Sequence, residues 1–507
     1  MSEQASDLMA KVVSLAKRRG FVFASSEIYG GLKSTYDYGP LGAELKRNLM
    51  QHWWRTMVHG REDVVGLDAA IMMHPKVWQA SGHLAGFSDP LVDCLNCKER
   101  FRADKAPAAE PGSKVAFVEG GKRGGARREG VVEPRGYLCP QCGSPLLSQE
   151  RQFNLMFRTH MGPVDPASEL VAWLREHPEA SAEQQRQAVA DALGRQAVYL
   201  RPETAQAMFV QFANVQQSMS MKVPFGIAQV GKSFRNEITV EHFIFRSCEF
   251  EQMEMEFFVA PGEQRRWLEY WREQRLSWWQ QLANDKSKFR ARAHEADELA
   301  HYADACYDIE YAYPWGWGEL EGVASRTDYD LKKHSEAAGT KLTYFDPQAN
   351  NPDTQKPGWR YTPYVIEPAA GLTRGVLVYL CDAYHEERVP SAADGEDATR
   401  VVLRLHPKLA PIKAAVLPLV KKEGLPDIAR DIVGRLLTGG INARYDEQHA
   451  IGRRYRRHDE IGTPFCVTVD GQTKDDQTVT LRHRDSMRQE RLPVAEAVAR
   501  VQKEVAI

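Results

Sequence analysis

Residues 233–258 read Ser-Phe-Arg-Asn-Glu-Ile-Thr-Val-Glu-His-Phe-Ile-Phe-Arg-Ser-Cys-Glu-Phe-Glu-Gln-Met-Glu-Met-Glu-Phe-Phe, and this stretch decides the architecture. Apolar and polar residues alternate at both ends, which predicts two strands joined by a loop. Arg235 and Glu237, two apart on the first strand, share a face; on the returning strand Arg246, Cys248, Phe250, Gln252 and Glu254 share one. Met253, Met255 and Phe257 point the opposite way, into a core. One face thus gathers two arginines, an aromatic ring, an amide and carboxylates. A sheet face built only for packing seldom holds that mixture. Phosphate oxygens, a planar base and an ammonium group would use all of it.

A chain of 507 residues, 43% of them hydrophobic, can bury a large core and should divide into several domains. Its net charge of −2 excludes a uniformly basic nucleic-acid coat and leaves room for local patches. The opening Met-Ser-Glu-Gln-Ala-Ser-Asp lacks an apolar signal region, and no run reaches the ~18 apolar residues of a membrane span. A soluble, cytoplasmic protein with no membrane partner is expected.

Of eight cysteines, Cys94, Cys97, Cys139 and Cys142 form two Cys-x-x-Cys pairs, and Cys248, Cys306, Cys381 and Cys466 are dispersed. Four thiolates on two tight knuckles can hold zinc tetrahedrally. Two unrelated pairs are the bland alternative, because the 41 intervening residues exceed the usual ~15–20. Residues 105–135 contain six glycines, three prolines and seven Lys/Arg against four Asp/Glu, which predicts a mobile basic loop.

Residues 5–19 read as an amphipathic helix ending at Gly20, and 21–24 as a strand. Leu41, Leu45, Leu49, Trp53 and Met57 recur every fourth residue on a helix over 41–58, suited to internal packing or a dimer interface. A strand over 63–73 stops at His74-Pro75, and 165–195 reads as one or two polar surface helices. At 199–206 a short strand turns into a helix with Pro202 and Glu203 in its first turn, where helix capping is one reading of Glu203. The Trp- and Arg-rich segment 263–283 reads as a packing helix. Residues 308–322 form two acidic strands around a glycine-rich turn; 364–367 is a strand leading to Gly371 and Arg374 at a helix start, a place for an anion.

The polar run 391–399 reads as a linker. Beyond it strands near 412–418, 441–445 and 464–469 alternate with helices near 427–438, 449–458 and 493–505, a compact α/β domain. Residues 400–507 hold 20 Lys/Arg and 14 Asp/Glu, net +6, leaving −8 on residues 1–399. Arg453, Arg454, Arg456 and Arg457 concentrate that excess, as a solvated helix face or as a polyanion contact.

The stretches at 234–258 and 367–374 resemble the second and third signature motifs of class II aminoacyl-tRNA synthetases, and the unit at 41–75 is similar to the first. Arg-Pro-Glu-Thr-Ala-Gln (201–206), Phe-Arg-Asn-Glu (234–237), Glu-Phe-Glu-Gln-Met-Glu (249–254), Trp-Gly-Glu-Leu-Glu-Gly (317–322) and Val-Ile-Glu-Pro (365–368) resemble the homodimeric glycyl-tRNA synthetases. The likeness runs from about residue 8 to 500, apart from the loops near 105–135 and 165–195. It implies an α+β fold: an antiparallel-sheet catalytic domain over 1–390 with a zinc-ribbon-like insertion at 93–143 and a helical one at 165–195, the linker 391–399, and an α/β anticodon-binding-like domain over 400–507. It also implies a homodimeric glycine–tRNA ligase working with glycine, ATP, Mg²⁺, glycine tRNA and a structural Zn²⁺.

Residue by residue, the resemblance implies Arg235 on the α-phosphate, Glu237 with Asn236 at the adenine end, Phe250 stacked on the ring with Phe245 nearby, and Arg246 and Arg374 on the outer phosphates. Glu319 would take Mg²⁺ or nucleotide beside the Leu320 backbone, with Gly371, Leu372 and Thr373 completing the ATP site. Glu203, Glu254 and Glu367 would surround the glycine ammonium, Arg326 and Arg102 its carboxylate, with Phe250, Gln252, Ala369 and Gly371 lining the pocket. Arg235, Glu237 and Arg374 are the implied catalytic residues, and Arg453, Arg454, Arg456 and Arg457 the weakest assignment, to tRNA. Three positions depart from the family pattern: Ala369 replaces a serine, Thr373 an aspartate and Cys248 an arginine.

Three other readings stand beside this one. A glycine-adenylating paralogue with another acceptor has no reason to keep a basic C-terminal domain. A non-catalytic RNA-binding relative should have lost phosphate-binding arginines or pocket glutamates, all of which are here. A zinc-stabilised scaffold explains the cysteines but not the face at 235–254.

Overall fold

A computed structural model describes residues 3–32, 34–121, 125–238, 242–390 and 397–506. The alternating stretches pair as antiparallel strands, Phe225–Phe234 with Glu249–Val259, and Phe234 stands opposite Glu249. Arg235 and Glu237 lie just past the first strand rather than on it, and both still reach the same cavity. Around the pair a seven-stranded sheet forms in the order Phe289–Ala293, Ala305–Tyr313, Gly316–Thr327, Tyr364–Gly371, Glu249–Val259, Phe225–Phe234, Val64–Gly66. All neighbours are antiparallel except the last two, which are parallel.

Period-2 alternation gives this sheet a dry face and a polar one. Met253, Met255, Phe257, Val323, Ile366 and Ala370 are buried on the dry side, against helices Pro40–Trp54, Gln264–Gln281 and Leu372–Ala383. Leu41, Leu45, Leu49, Trp53 and Met57 are all buried in that core, so the stripe packs inside the protomer. Trp271, Trp278 and Trp279 join it, and the Arg275 guanidinium pairs there with Glu321 at 2.7 Å.

Two expectations need correction. The strand over 63–73 is two strands: Val64–Gly66 joins the main sheet, and Met72–Met73 pairs with Ala197–Leu200 in another. The Ala69 N–H donates to Gln229 Oε1 (2.7 Å), so a side chain secures the crossover. The described residues of 105–135 depart from the expected loose loop, because Lys114–Val118 and Arg127–Val131 pair as antiparallel strands anchored by buried Phe117 and Val132.

At the expected linker, residues 391–396 lie outside the described residues, and 397–399 belong to the strand Asp397–Leu403, which pairs with Tyr384–Pro390. The C-terminal sheet runs Ala443–Tyr445, Ala414–Pro418, Phe465–Val469, Thr478–His483, Gln489–Pro493, parallel across its first three strands and antiparallel across the rest. Helices Leu425–Thr438 and Val494–Val505 pack their apolar stripes on it.

Candidate active site

The polar face of the main sheet floors a cavity lined by Glu203, Arg235, Glu237, Phe245, Phe250, Gln252, Glu254, Glu319, Glu367, Ala369, Gly371, Thr373 and Arg374. Residues distant in sequence meet because four neighbouring strands end here. At one end the Arg235 guanidinium lies 5.4 and 5.3 Å from the Phe87 and Phe250 ring centroids, and its Nε donates to Pro202 O (3.0 Å). Across the cavity Arg374 rests on Phe245 (4.5 Å) and meets the Glu319 carboxylate at 3.0 Å. Arg374 holds Glu319 below the usual carboxylate range, although the Glu319 side chain is half exposed and the pair is screened. Two cations with aromatic plates beside them suit a nucleotide.

The other end is acidic. Glu203 accepts from Gln206 Nε2 (3.0 Å) and faces His83 Nε2 (3.3 Å). Burial alone would raise its proton affinity, but His83 and Arg326 outweigh burial and hold it charged. The helix begins only at Ala205 and Thr204 makes no side-chain cap, so Glu203 is a pocket residue rather than a cap. Glu254 accepts from the Thr204 backbone N–H (3.0 Å) and hydroxyl. Burial first, then the charges of Glu367 and Glu203, push Glu254 up to about 8. Glu367 accepts from Arg326 Nη1 (2.6 Å), yet burial leaves its pKa raised too.

Several expected residues do not line the cavity. Arg326 lies behind the wall, gripping Asp330 through Nε (2.8 Å) and Nη2 (3.0 Å) as well as Glu367, with Tyr302 stacked on its guanidinium at 3.9 Å. Its guanidinium is held by these carboxylates on the side away from the cavity lining. Arg102 is committed to Asp89 (2.8 Å) and Asp104 (2.7 Å). Asn236, Arg246, Leu320 and Leu372 are also absent from the lining, and Leu320 and Leu372 are buried. The Cys248 carbonyl accepts from the Arg235 N–H (2.9 Å), so its contribution is through the backbone.

The cavity also takes in His294, Tyr302, Cys306 and Asp308, which sequence reading missed. His294 Nε2 and Arg292 Nη2 hold Asp308 at 2.9 and 3.1 Å, and the Cys306 sulfur is close by. The alternation Cys306–Asp308 was legible as a strand face. Its alignment with Glu319 was not, because a register shift at Ile309/Glu310 intervenes.

Cys94 and Cys142 bring their sulfurs to 3.7 Å, Cys97 and Cys139 to 3.6 Å, and all four lie within 4.8 Å of one another. A tetrahedral zinc with Zn–S near 2.3 Å needs sulfurs about 3.8 Å apart. The four thiols fit that ion. Asn96 Nδ2 donates to Cys142 Sγ (3.4 Å), the outer hydrogen bond such sites carry.

The proposed basic patch is smaller than expected. On the helix Ile451–Glu460, Arg454 is buried and donates to the carbonyls of Pro418 (2.7 Å), Asp446 (3.1 Å) and Leu419 (3.3 Å). Arg457 pairs with Asp446 (2.5 Å) and Arg456 is half-buried. Arg453 alone of the four is exposed. Four arginines spread over the five positions 453–457 span more than a full helical turn, so they cannot all face solvent.

Residues 413–504 match the family described as anticodon binding domain. Over 497 residues the chain is 48% identical to the glycine–tRNA ligase of Treponema denticola, covering 98% of this chain and 97% of that one. The chain belongs to the glycine–tRNA ligase family. The Streptomyces coelicolor member is also 48% identical, over 96% of both chains, and that of Treponema pallidum 49%, again over 96% of both. In fold the chain is similar to prolyl-tRNA synthetase from Cryptosporidium parvum, with a TM-score of 0.57 at 12% identity, covering 97% of this chain and 74% of that structure. The family thus has a class II synthetase architecture here. No helix among the described residues is long and apolar enough to cross a membrane.

Proposed function

We propose that this protein attaches glycine to glycine tRNA through a glycyl-adenylate, releasing pyrophosphate and then AMP. Full-length membership of the glycine–tRNA ligase family supports the reaction. The observation that carries the substrate is one cavity with an arginine–aromatic end and an acidic end. The carboxylates of Glu203, Glu254 and Glu367 receive the glycine ammonium, and Arg235 and Arg374 receive the triphosphate. The amino-acid carboxylate attacks the α-phosphorus, the bond to pyrophosphate breaks, and no protein nucleophile is needed. Arg235 neutralises charge that grows on the α-phosphate oxygens. The tRNA terminal ribose hydroxyl then attacks the adenylate carbonyl and AMP leaves. Three carboxyls crowd the acidic end, so larger amino acids are excluded sterically.

Glu319 and Asp308, both lining the cavity, would hold a Mg²⁺ bound with ATP, an ion that takes one or two carboxylates plus phosphates and would screen phosphate charge. Zn²⁺ on the four cysteines is structural in this reading. Ile28, Tyr29 and Leu32 are 88, 87 and 64% exposed, an apolar projection that supports a homodimer. Function in the cytoplasm accords with the reaction.

Glycine-dependent exchange of pyrophosphate into ATP, followed by charging of glycine tRNA, tests the reading. Both activities are expected. Absence of exchange at millimolar glycine rejects it, and exchange without charging points to another acceptor.

A further inference from the structure

The acidic end contains a fourth glutamate that lines no part of the cavity. Glu256 follows Glu254 by two on the same strand face and is fully buried. Glu254 pairs with Ala369 and Phe257 with Ile366, so the register sets Glu256 directly opposite Glu367. One carboxylate oxygen from each of Glu254, Glu256 and Glu367 lies within 4.8 Å of the other two. Like charges opposite each other in a dry sheet are destabilising.

Donors around these carboxyls are unequally shared. Glu203 has Gln206 and His83, Glu254 has Thr204, Glu367 has Arg326, and Asp330 has Arg326 and Gln206. Among the described residues, neither oxygen of Glu256 has a hydrogen-bond partner. A buried carboxylate with no donor is the costliest form that group can take, whereas a carboxylic acid brings its own donor.

We propose that Glu256 is a positioning residue that keeps its proton and donates it to Glu367, fixing the Glu367 carboxylate where the glycine ammonium is received. Arg326 takes one oxygen of Glu367 and Glu256 steadies the group from the neighbouring strand. The proton also leaves one fewer negative charge for glycine to neutralise. The titratable and charged groups facing Glu256 are Glu254, Glu367, Arg326 and Asp330, and burial together with Glu367 drives its proton affinity well up. This rests on the proposed glycine site at Glu203, Glu254 and Glu367.

The test is steady-state exchange kinetics of E256Q, E256L and E254Q full-length enzymes. Glutamine keeps a neutral donor, so E256Q should hold its glycine KM within about threefold of wild type. E256L removes the donor and should raise glycine KM about tenfold or more, the cost of a buried acceptor left unmatched, with ATP KM unmoved. If E256Q loses as much as E256L, Glu256 acts as a charge and the proposal is overturned. If E256L does not fold, the infrared difference spectrum of wild type minus E256Q decides. A protonated carboxyl band at neutral pH supports the assignment and its absence refutes it. E254Q separates the two ideas: unchanged glycine KM there defeats the glycine-site reading, whatever Glu256 does.

Discussion

Glu254 carries the most consequential protonation equilibrium in the cavity. Its pKa of about 8 arises from burial and from Glu367 and Glu203, so at neutral pH the empty pocket mostly holds a proton there. Because the folded value lies above the ordinary carboxylate value, the associated stability is present below about pH 4.5 and is lost as pH rises through about 8. An incoming ammonium replaces that proton. Glycine affinity should therefore rise from pH 6 to 8, by up to about tenfold per unit. Calorimetry in buffers of different ionisation heat should register proton release on binding. A glycine KM that is flat across this window would refute the coupling. At the other end, Arg235→Ala should cut exchange by about 10²–10³, the usual loss for a donor to developing charge. Ala369 faces the cavity and stands opposite Glu254. An Ala369→Ser hydroxyl there should lower glycine KM by a few-fold, since one added hydrogen bond is worth about 1 kcal/mol. A raised KM would show that the pocket has closed over the missing hydroxyl.

Elements were legible where a periodic pattern met a local stop signal. The returning strand at 249–259 followed from alternation and the apolar stripe at 41–57 from fourfold recurrence, whereas the first strand ends at Phe234, where the alternation had it begin. The motifs that carry the family resemblance picked out Arg235, Phe250, Glu254, Glu367 and Arg374, and all five line one cavity. What escaped depends on long-range register or on one helical turn: the split strand at 63–73, His294 with Asp308, and the inward face of Arg454. The paired strands Lys114–Val118 and Arg127–Val131 were hidden by the glycines and charges around them, with Phe117 and Val132 as buried apolar anchors among the described residues. That module has its own small core around Val92, Phe101 and Leu147 with the cysteines, too few apolar groups to hold itself. About one equivalent of zinc per chain is expected by metal analysis. Cys97→Ser with Cys142→Ser should abolish it and open residues 98–138 to protease. Wild-type protein with intact thiols and no zinc would overturn the assignment.

Across the whole molecule, charged side chains join the catalytic part to the C-terminal domain. Arg400, on a strand paired with the catalytic part, is fully buried and pairs with Glu387 (2.8 Å) and with Asp459 (2.9 Å) of the helix Ile451–Glu460. Arg482 grips the same Asp459 at 2.8 Å, while Glu460 accepts from Arg18 and Arg19 of the first helix. Asn48 adds hydrogen bonds to the carbonyls of Leu409 and Ala410 (both 3.1 Å). Truncating one member of such a buried set leaves charge without compensation, a loss of about 3–5 kcal/mol. Arg400→Met should therefore split the thermal unfolding into two transitions, the C-terminal domain melting first. Pyrophosphate exchange needs only the cavity and should persist. Charging needs both parts held at a fixed distance along one tRNA and should fall. Arg453→Ala, on the exposed face, should weaken charging without moving either transition, whereas Arg454→Ala should lower the C-terminal transition by removing the donor to three carbonyls. Equal loss of exchange and charging in Arg400→Met, with a single unshifted transition, would mean that the junction transmits structure to the active site instead of merely spacing the two domains.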